Sequence, residues 1–278
     1  MRGKTCLITG ANAGIGRETT AGLAVQGARI LMVYRNIDRG EAARSYLLAR
    51  VPGADLELIQ ADLSTIGGVR NLVRDVLRHT DRLDVLVSNA GLFNTRRTMT
   101  ADGLETTFAV NHLAPFILVN GLLDLLRRSH PARVVLVASA AHYSGAIMFD
   151  DLQQANRRFS GWKAYTQSKL ANVLFAAELA RRVRAEEVTV NSLHPGAVAT
   201  KLLLRGLVPP WLVRRWVVTP EQGAATSIYL ASSEDVSRVS GRYFDNSREK
   251  EPSAEARDPE VAKRLWAVSE EIIETEGL

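Results

Sequence analysis

The chain has 278 residues, 46% of them apolar and 23% charged, with a formal net charge of +5. That length suits one large domain, the apolar share is ample for a buried core, and the balanced charge excludes disorder as the main state. The basic excess is mild and spread along the chain, so a nucleic-acid groove is not expected. No run of about 18 uncharged apolar residues occurs, so no transmembrane helix is expected.

The first apolar run, Thr5–Thr9, predicts a strand that carries the single cysteine, Cys6. A lone thiol excludes an intramolecular disulfide and a cysteine metal cluster, and its expected place is the core. Met1-Arg2-Gly3-Lys4 leads into this run without a hydrophobic signal region, so a cytoplasmic protein is expected. Thr9-Gly10-Ala11-Asn12-Ala13-Gly14-Ile15-Gly16 then turns the strand into a helix over Arg17–Gln26. Gly10 permits the turn, Gly14 lets the backbone approach a pyrophosphate, and Gly16 lets helix and strand pack closely. The helix N-terminus faces the phosphates with free N–H groups and the positive end of its dipole.

The second strand, Arg29–Tyr34, is followed by Arg35, nineteen residues after Gly16. An acid at that position would bind the ribose hydroxyls of NAD, whereas a guanidinium suits the 2′-phosphate of NADP(H). Arg17 can add positive charge, and the nearest acid, Asp38, lies three residues further on. Strands over Leu56–Ala61, Val85–Ser88, Val134–Val137, Thr189–Leu193 and Tyr243–Phe244 follow in order. Helices over Gly40–Arg50, Gly67–His79, Pro115–Arg128, Trp162–Arg184 and Pro220–Ala231 alternate with them. Nearly continuous apolar strands separated by helices predict an α/β fold: a single doubly wound (Rossmann) domain over 1–278, its central parallel sheet covered on both faces.

Asn89-Ala90-Gly91 and Ser139 follow the fourth and fifth strands, where the carboxyl ends of a parallel sheet face the ligand crevice. Tyr165 and Lys169, four residues apart, share one helix face. A phenol with its ordinary pKa of about 10 is a poor base at neutral pH. A neighbouring ammonium and a cationic nicotinamide favour the phenolate and bring it toward working range. The five histidines, His79, His112, His130, His142 and His194, show no ligand spacing, so no metal is expected and structural or solvated roles are. Leu202–Val218, broken by Pro209-Pro210, is open to three readings: a substrate lid, a core helix pair, or a surface in peripheral contact with membrane. Pro259–Glu274 is amphipathic and predicts a C-terminal helix that caps the domain or packs on a partner subunit.

In order and spacing, Thr9-Gly-x-x-x-Gly-Ile-Gly16, Asn89-Ala-Gly91, Asn111, Ser139, Tyr165-x-x-x-Lys169 and Pro195-Gly196 resemble the short-chain dehydrogenase/reductase family over almost the whole chain. Arg35-Asn36, Thr100-Ala-Asp-Gly-Leu-Glu105, Val110-Asn-His-Leu113 and Ser168–Phe175 are similar to its retinol dehydrogenase group. The resemblance implies NADP(H)-dependent interconversion of a carbonyl and an alcohol, on an apolar substrate such as a retinoid or long-chain aldehyde. Tyr165 would be the general acid/base, and Lys169 would lower its pKa and hold the nicotinamide ribose. Ser139 would bond the substrate oxygen, and Asn111 would anchor a water that links Lys169 to solvent. Gly10, Asn12, Gly14, Ile15, Gly16 and Arg35 would line the phosphates, Asp62 and Leu63 the adenine, and Asn89 and Gly91 the adenosine-ribose side. Thr200, after Pro195 and Gly196 in the same cofactor wall, would position the nicotinamide amide.

Departures from the group bear on these expectations. Ala138-Ser139 stands where two serines are common, with the serine kept at the catalytic position. Ala114-Pro115 replaces Gly-His, and Pro115 can shift the helix that carries Asn111, although a proline in an early turn is tolerated. The group's N-terminal membrane anchor is not expected here, which weakens the case for a membrane-dissolved substrate. The resemblance also implies a homodimer or homotetramer paired through Pro115–Arg128 and Trp162–Arg184. The alternative to an enzyme is a non-catalytic NADP(H)-binding regulator, a class that usually loses the tyrosine, lysine or serine; all three are present.

Overall fold

Strands with no polar alternation are expected to be covered on both faces, and here they are. The computed structural model describes residues 1–196 and 218–275. Among these residues the strands are β1 (Thr5–Thr9), β2 (Arg29–Tyr34), β3 (Leu56–Gln60), β4 (Val85–Ser88), β5 (Ala132–Val137), β6 (Val188–His194), β7 (Tyr243–Asp245) and β8 (Arg248–Glu249). They form one sheet in the order β3-β2-β1-β4-β5-β6-β7-β8, parallel throughout except that β8 runs antiparallel to β7.

Side chains alternate between two cores. Leu7, Leu31, Leu86, Val134 and Val190 meet α3 (Ile66–His79), α5 (Ala114–Gly121), α7 (Gly161–Arg182) and α9 (Pro259–Thr275) on one face. Cys6, Ile8, Ile30, Val87 and Val135 meet α1 (Gly14–Val25), α2 (Ile37–Arg50) and α8 (Pro220–Ser232) on the other. Burial at Cys6 pushes its thiol up to about 12, so it stays protonated and inert.

Two features differ from expectation. β8 is an unanticipated edge strand of two residues, reached through Asn246 and Ser247 at φ 51° and 58°; so short a strand carries no alternation to read. The helix expected to start at Pro115 begins earlier, with α4 (Thr106–Phe108), whose N–H groups at Thr107 and Phe108 donate to the Glu105 carboxylate at 2.9 Å each. A π turn over Ala109–Leu113 joins α4 to α5, and α6 (Leu123–Arg128) follows. Pro115 therefore sits inside the helical path rather than at its start. Its missing N–H and bulky ring are accommodated where the turn is widened, and Asn111 lies in that turn.

The C-terminal helix packs on its own domain. The Trp266 ring meets Phe116 and Phe175 with centroids 4.8 and 5.7 Å away, and the Arg182 guanidinium covers it at 4.0 Å. Of the segment Leu202–Val218, all but Val218 lies outside the described residues.

Candidate active site

The strand order reverses between β1 and β4, which opens a crevice at their carboxyl ends. Gly10 and Gly14 adopt φ +66° and +53° there, left-handed values that favour glycine. A Cβ on Gly16 would stand 2.3 Å from the Gly10 carbonyl oxygen and 2.4 Å from Asn89 Nδ2, so only glycine lets α1 approach this closely. Asn12 and Ile15 lie half-buried in the same turn.

The start of α1 is left open. Its N-cap residue, Ala13, has no side-chain acceptor, whereas Asn36, Thr65, Ser160 and Thr219 cap α2, α3, α7 and α8. The first-turn N–H groups of α1 thus remain available to an anion, and the cradle fits a dinucleotide pyrophosphate.

Arg35 projects exposed from the end of β2, its main-chain carbonyl accepting Gln60 Nε2 at 3.1 Å, and its guanidinium has no ion pair among the described residues. Arg17 differs: it lies 4.2 Å over the Tyr46 ring and pairs at 3.1 Å with the buried Glu18, which also takes Arg50. Its charge is largely offset, so the positive charge free for a 2′-phosphate is that of Arg35. Asp62 is exposed, with its carboxylate accepting the N–H and hydroxyl of Ser64 at 2.9 and 2.8 Å; Leu63 beside it is half-buried.

The Asn89 amide is turned inward. Nδ2 donates to the carbonyls of Thr9 and Gly10 at 2.8 and 3.4 Å, stapling β4 to the glycine turn. A Cβ on Gly91 would lie 3.3 Å from Asn111 Oδ1 and 3.4 Å from Lys169 Nζ, which sets it at the junction of the cofactor and catalytic sides. Pro195 and Gly196 follow β6, Gly196 at φ +82°; Thr200 lies outside the described residues.

On the catalytic side, Lys169 Nζ donates to the Val137 carbonyl at 2.9 Å and lies 5.7 Å from the centre of the Tyr165 ring. Burial lowers the ammonium to about 8. Among the protein's own groups the phenol of Tyr165 is pushed up, first by burial, while a hydrogen bond from Ser139 pulls it down. Burial and Ser139 are the causes of that shift; Lys169, itself desolvated, is not among them.

The Asn111 side chain is also fully engaged. Its Oδ1 accepts the Leu92 N–H at 2.8 Å, and Nδ2 donates to the Leu92 carbonyl at 2.9 Å and to Ser168 Oγ at 3.0 Å. Ser168 Oγ in turn donates to the Tyr165 carbonyl at 2.8 Å. The α-helical donor to the Asn111 main-chain carbonyl would be the nitrogen of Pro115, which carries no hydrogen.

Sequence reading gave Ser168 no role of its own and His142 only a structural or solvated one. Ser168 ties Asn111 to the catalytic helix, and its only local signal is its place between Tyr165 and Lys169. His142 is fully buried against Ser139, with Nδ1 2.7 Å from the Ser139 carbonyl oxygen. Phe93 and Trp162 flank the Tyr165 ring, at 5.6 and 6.3 Å between centroids, and give the site apolar walls.

Comparisons with known proteins agree with this arrangement. A family model for short chain dehydrogenase matches residues 4–205. Retinol dehydrogenase 14 of Mus musculus is 45% identical, with 98% of this chain and 86% of that protein aligned. Retinol dehydrogenase 13 of Homo sapiens is 40% identical over 99% and 86%. Among solved structures, an uncharacterized protein from Mycobacterium paratuberculosis superposes with a TM-score of 0.80 at 33% identity, covering 98% of this chain and 94% of that one. The RhlG/NADP active-site complex of Pseudomonas aeruginosa gives 0.72 at 27% identity, covering 88% and 95%.

Proposed function

The chain belongs to the short-chain dehydrogenase family and is an oxidoreductase of carbonyls and alcohols, and we propose that it is an NADP(H)-dependent cytoplasmic enzyme in which Tyr165 carries the proton to an apolar carbonyl. The observation that carries this reading is the convergence of Ser139, Tyr165 and Lys169 beside the uncapped start of α1.

The bound cofactor supplies the hydride. The α1 N–H groups would seat its pyrophosphate, and Arg35 would meet the 2′-phosphate with a guanidinium that has no competing carboxylate among the described residues. As negative charge develops on the substrate oxygen, the Ser139 hydroxyl donates to it and the Tyr165 phenol transfers its proton. Lys169 holds positive charge beside the phenolate that remains. Asn111 and Ser168 fix the helix and the Leu92 backbone around that pair. Phe93 and Trp162 favour an apolar chain or ring system next to the carbonyl. Both relatives are named retinol dehydrogenases and one structural neighbour is an NADP complex, which supports a retinoid or long-chain aldehyde with NADP(H). No helix among the described residues is long and apolar enough to cross a membrane.

The test is oxidation of NADPH, with NADH in parallel, over retinal, decanal and a steroid ketone. Turnover with NADPH that Tyr165→Phe abolishes is the expected result. Tight NADPH binding with no turnover on any of the three would favour the regulator instead, and absence of NADPH binding would remove the reading altogether.

A further inference from the structure

Ser139 is extended, at φ −168° and ψ 154°, and starts the tight turn Ala140–Ser144. Its carbonyl oxygen lies 2.7 Å from His142 Nδ1. The other nitrogen of the same ring, Nε2, accepts the main-chain N–H of Ser253 at 3.2 Å. An imidazole that accepts at Nε2 is neutral and carries its proton on Nδ1. The Ser253 contact therefore fixes the tautomer and makes His142 a donor to the Ser139 carbonyl. Tyr143 and Tyr243 hold the ring, with centroids 4.0 and 4.6 Å away.

Ser253 is one of three ties between the C-terminal stretch and this turn. Tyr143 Oη donates to the Glu251 carbonyl at 2.6 Å, and the Ile147 N–H donates to Glu255 Oε1 at 2.9 Å. Ser253 is itself anchored, its hydroxyl accepting the Ala256 N–H at 3.3 Å. All three ties originate outside residues 4–205, the part that matches the family model.

We propose that His142 is a positioning residue for the reaction: gripped by the C-terminal stretch through Ser253, it locks the Ser139 carbonyl and so aims the Ser139 hydroxyl at the substrate oxygen. This rests on the reading that Ser139 meets that oxygen. The Ser139 Oγ accepts the Ala141 N–H at 3.1 Å, so its hydrogen points away from that amide, toward Tyr165 and the crevice. Without the ring the Ser139 carbonyl keeps only the main-chain N–H of His142, at 3.1 Å, and a looser peptide there would lose that aim while leaving the glycine turn and Arg35, on the other side of the sheet order, untouched.

The test is steady-state kinetics with NADPH and the best carbonyl substrate, with NADPH binding measured separately by fluorescence as a check on folding. In His142→Ala, kcat falls about 10- to 100-fold while the KM for NADPH stays unchanged, the size expected from a small misplacement of a reacting group. His142→Asn retains an amide N–H for the Ser139 carbonyl and recovers part of the loss. Ser253→Pro, which deletes the N–H donor, lowers kcat more than Ser253→Ala, which keeps it. Unchanged kcat in both His142→Ala and Ser253→Pro overturns the proposal. Parallel loss of kcat and NADPH affinity in every variant, with no rescue by asparagine, overturns it as well and marks a structural role only. Full activity in Ser139→Ala removes the underlying reading and the proposal with it, a result distinct from either of the others.

Discussion

The loops after β1 and β2 and the segment from β5 to α7 occupy the same crevice and are built in opposite ways. In the first, donors are left open: α1 starts on an alanine without a cap, and Arg35 stands exposed, with no ion pair among the described residues. In the second, together with Asn111 from the π turn before it, the polar groups around Tyr165 are occupied. Lys169 is on Val137, Asn111 on Leu92 and Ser168, and His142 between Ser139 and Ser253. A region that binds an anion gains from unsatisfied N–H groups and free charge, since the ligand satisfies them. A region that moves a proton gains from groups held within a narrow range of positions. Openness marks binding and closure marks chemistry.

The largest expected effect tests the closed region. Tyr165→Phe removes the proton donor while the ring keeps its contact with Phe93, so kcat should fall by about 10²- to 10⁴-fold with NADPH affinity retained by isothermal titration. Loss of affinity on the same scale would mean that the two regions are not separable.

The next tests the open one. Arg35→Asp should raise the KM for NADPH by about 10- to 100-fold, measured against NADH, whose KM should rise little or fall. Arg17 cannot take over, because Glu18 already holds it. A larger effect from Arg17→Ala than from Arg35→Asp would reverse that assignment.

Closure has a cost in acid. His112, next to Asn111, is 1% exposed, with Nε2 2.9 Å from Ser269 Oγ of α9, and burial lowers it to about 3. The unfolded chain takes up a proton on this residue near pH 6.5, but the folded chain does not until far lower pH. Its contribution is therefore complete above pH 6.5 and is lost as pH falls toward 3, at up to about 1.4 kcal/mol per pH unit. Burial lowers His142 and His194 as well, with the same sign. Urea unfolding between pH 7 and pH 4.5 should show the slope, and His112→Phe should flatten part of it. Equal slopes in the two proteins would place the acid weakness elsewhere.

The same division governs what could be read from the sequence. The open region is local: an apolar run, glycines at fixed offsets and a basic residue after the second strand are visible without a fold. Tyr165 and Lys169 were legible for the same reason, four residues apart on one helix. The closed region depends on partners far along the chain, such as Ser253 for His142 and Leu92 for Asn111. Pro115 reads as a helix start because a proline usually is one; only the Glu105 cap and the π turn show that the helix begins before it. The rise of the Tyr165 phenol and the neutralisation of Arg17 likewise depend on burial and on a carboxylate whose placement no spacing reveals.

The smallest expected effect closes what is open. Ala13 is extended, at φ −159° and ψ 162°, the backbone shape of an N-cap. Ala13→Ser supplies an acceptor for the first-turn N–H groups of α1 without altering that shape. The unliganded protein should gain about 0.5–1 kcal/mol, seen as a higher urea midpoint. NADPH should bind more weakly by about 2- to 5-fold, because the serine now competes for the donors that the pyrophosphate uses. Thr219→Ala is the converse: it removes the capping box of α8 and should lose about 1 kcal/mol, with no change in NADPH affinity, since that helix end carries no ligand in this reading. If Ala13→Ser stabilises the protein and leaves NADPH binding as tight as before, the α1 N–H groups are not the seat of the pyrophosphate, and the contrast between an open and a closed region rests on Arg35 alone.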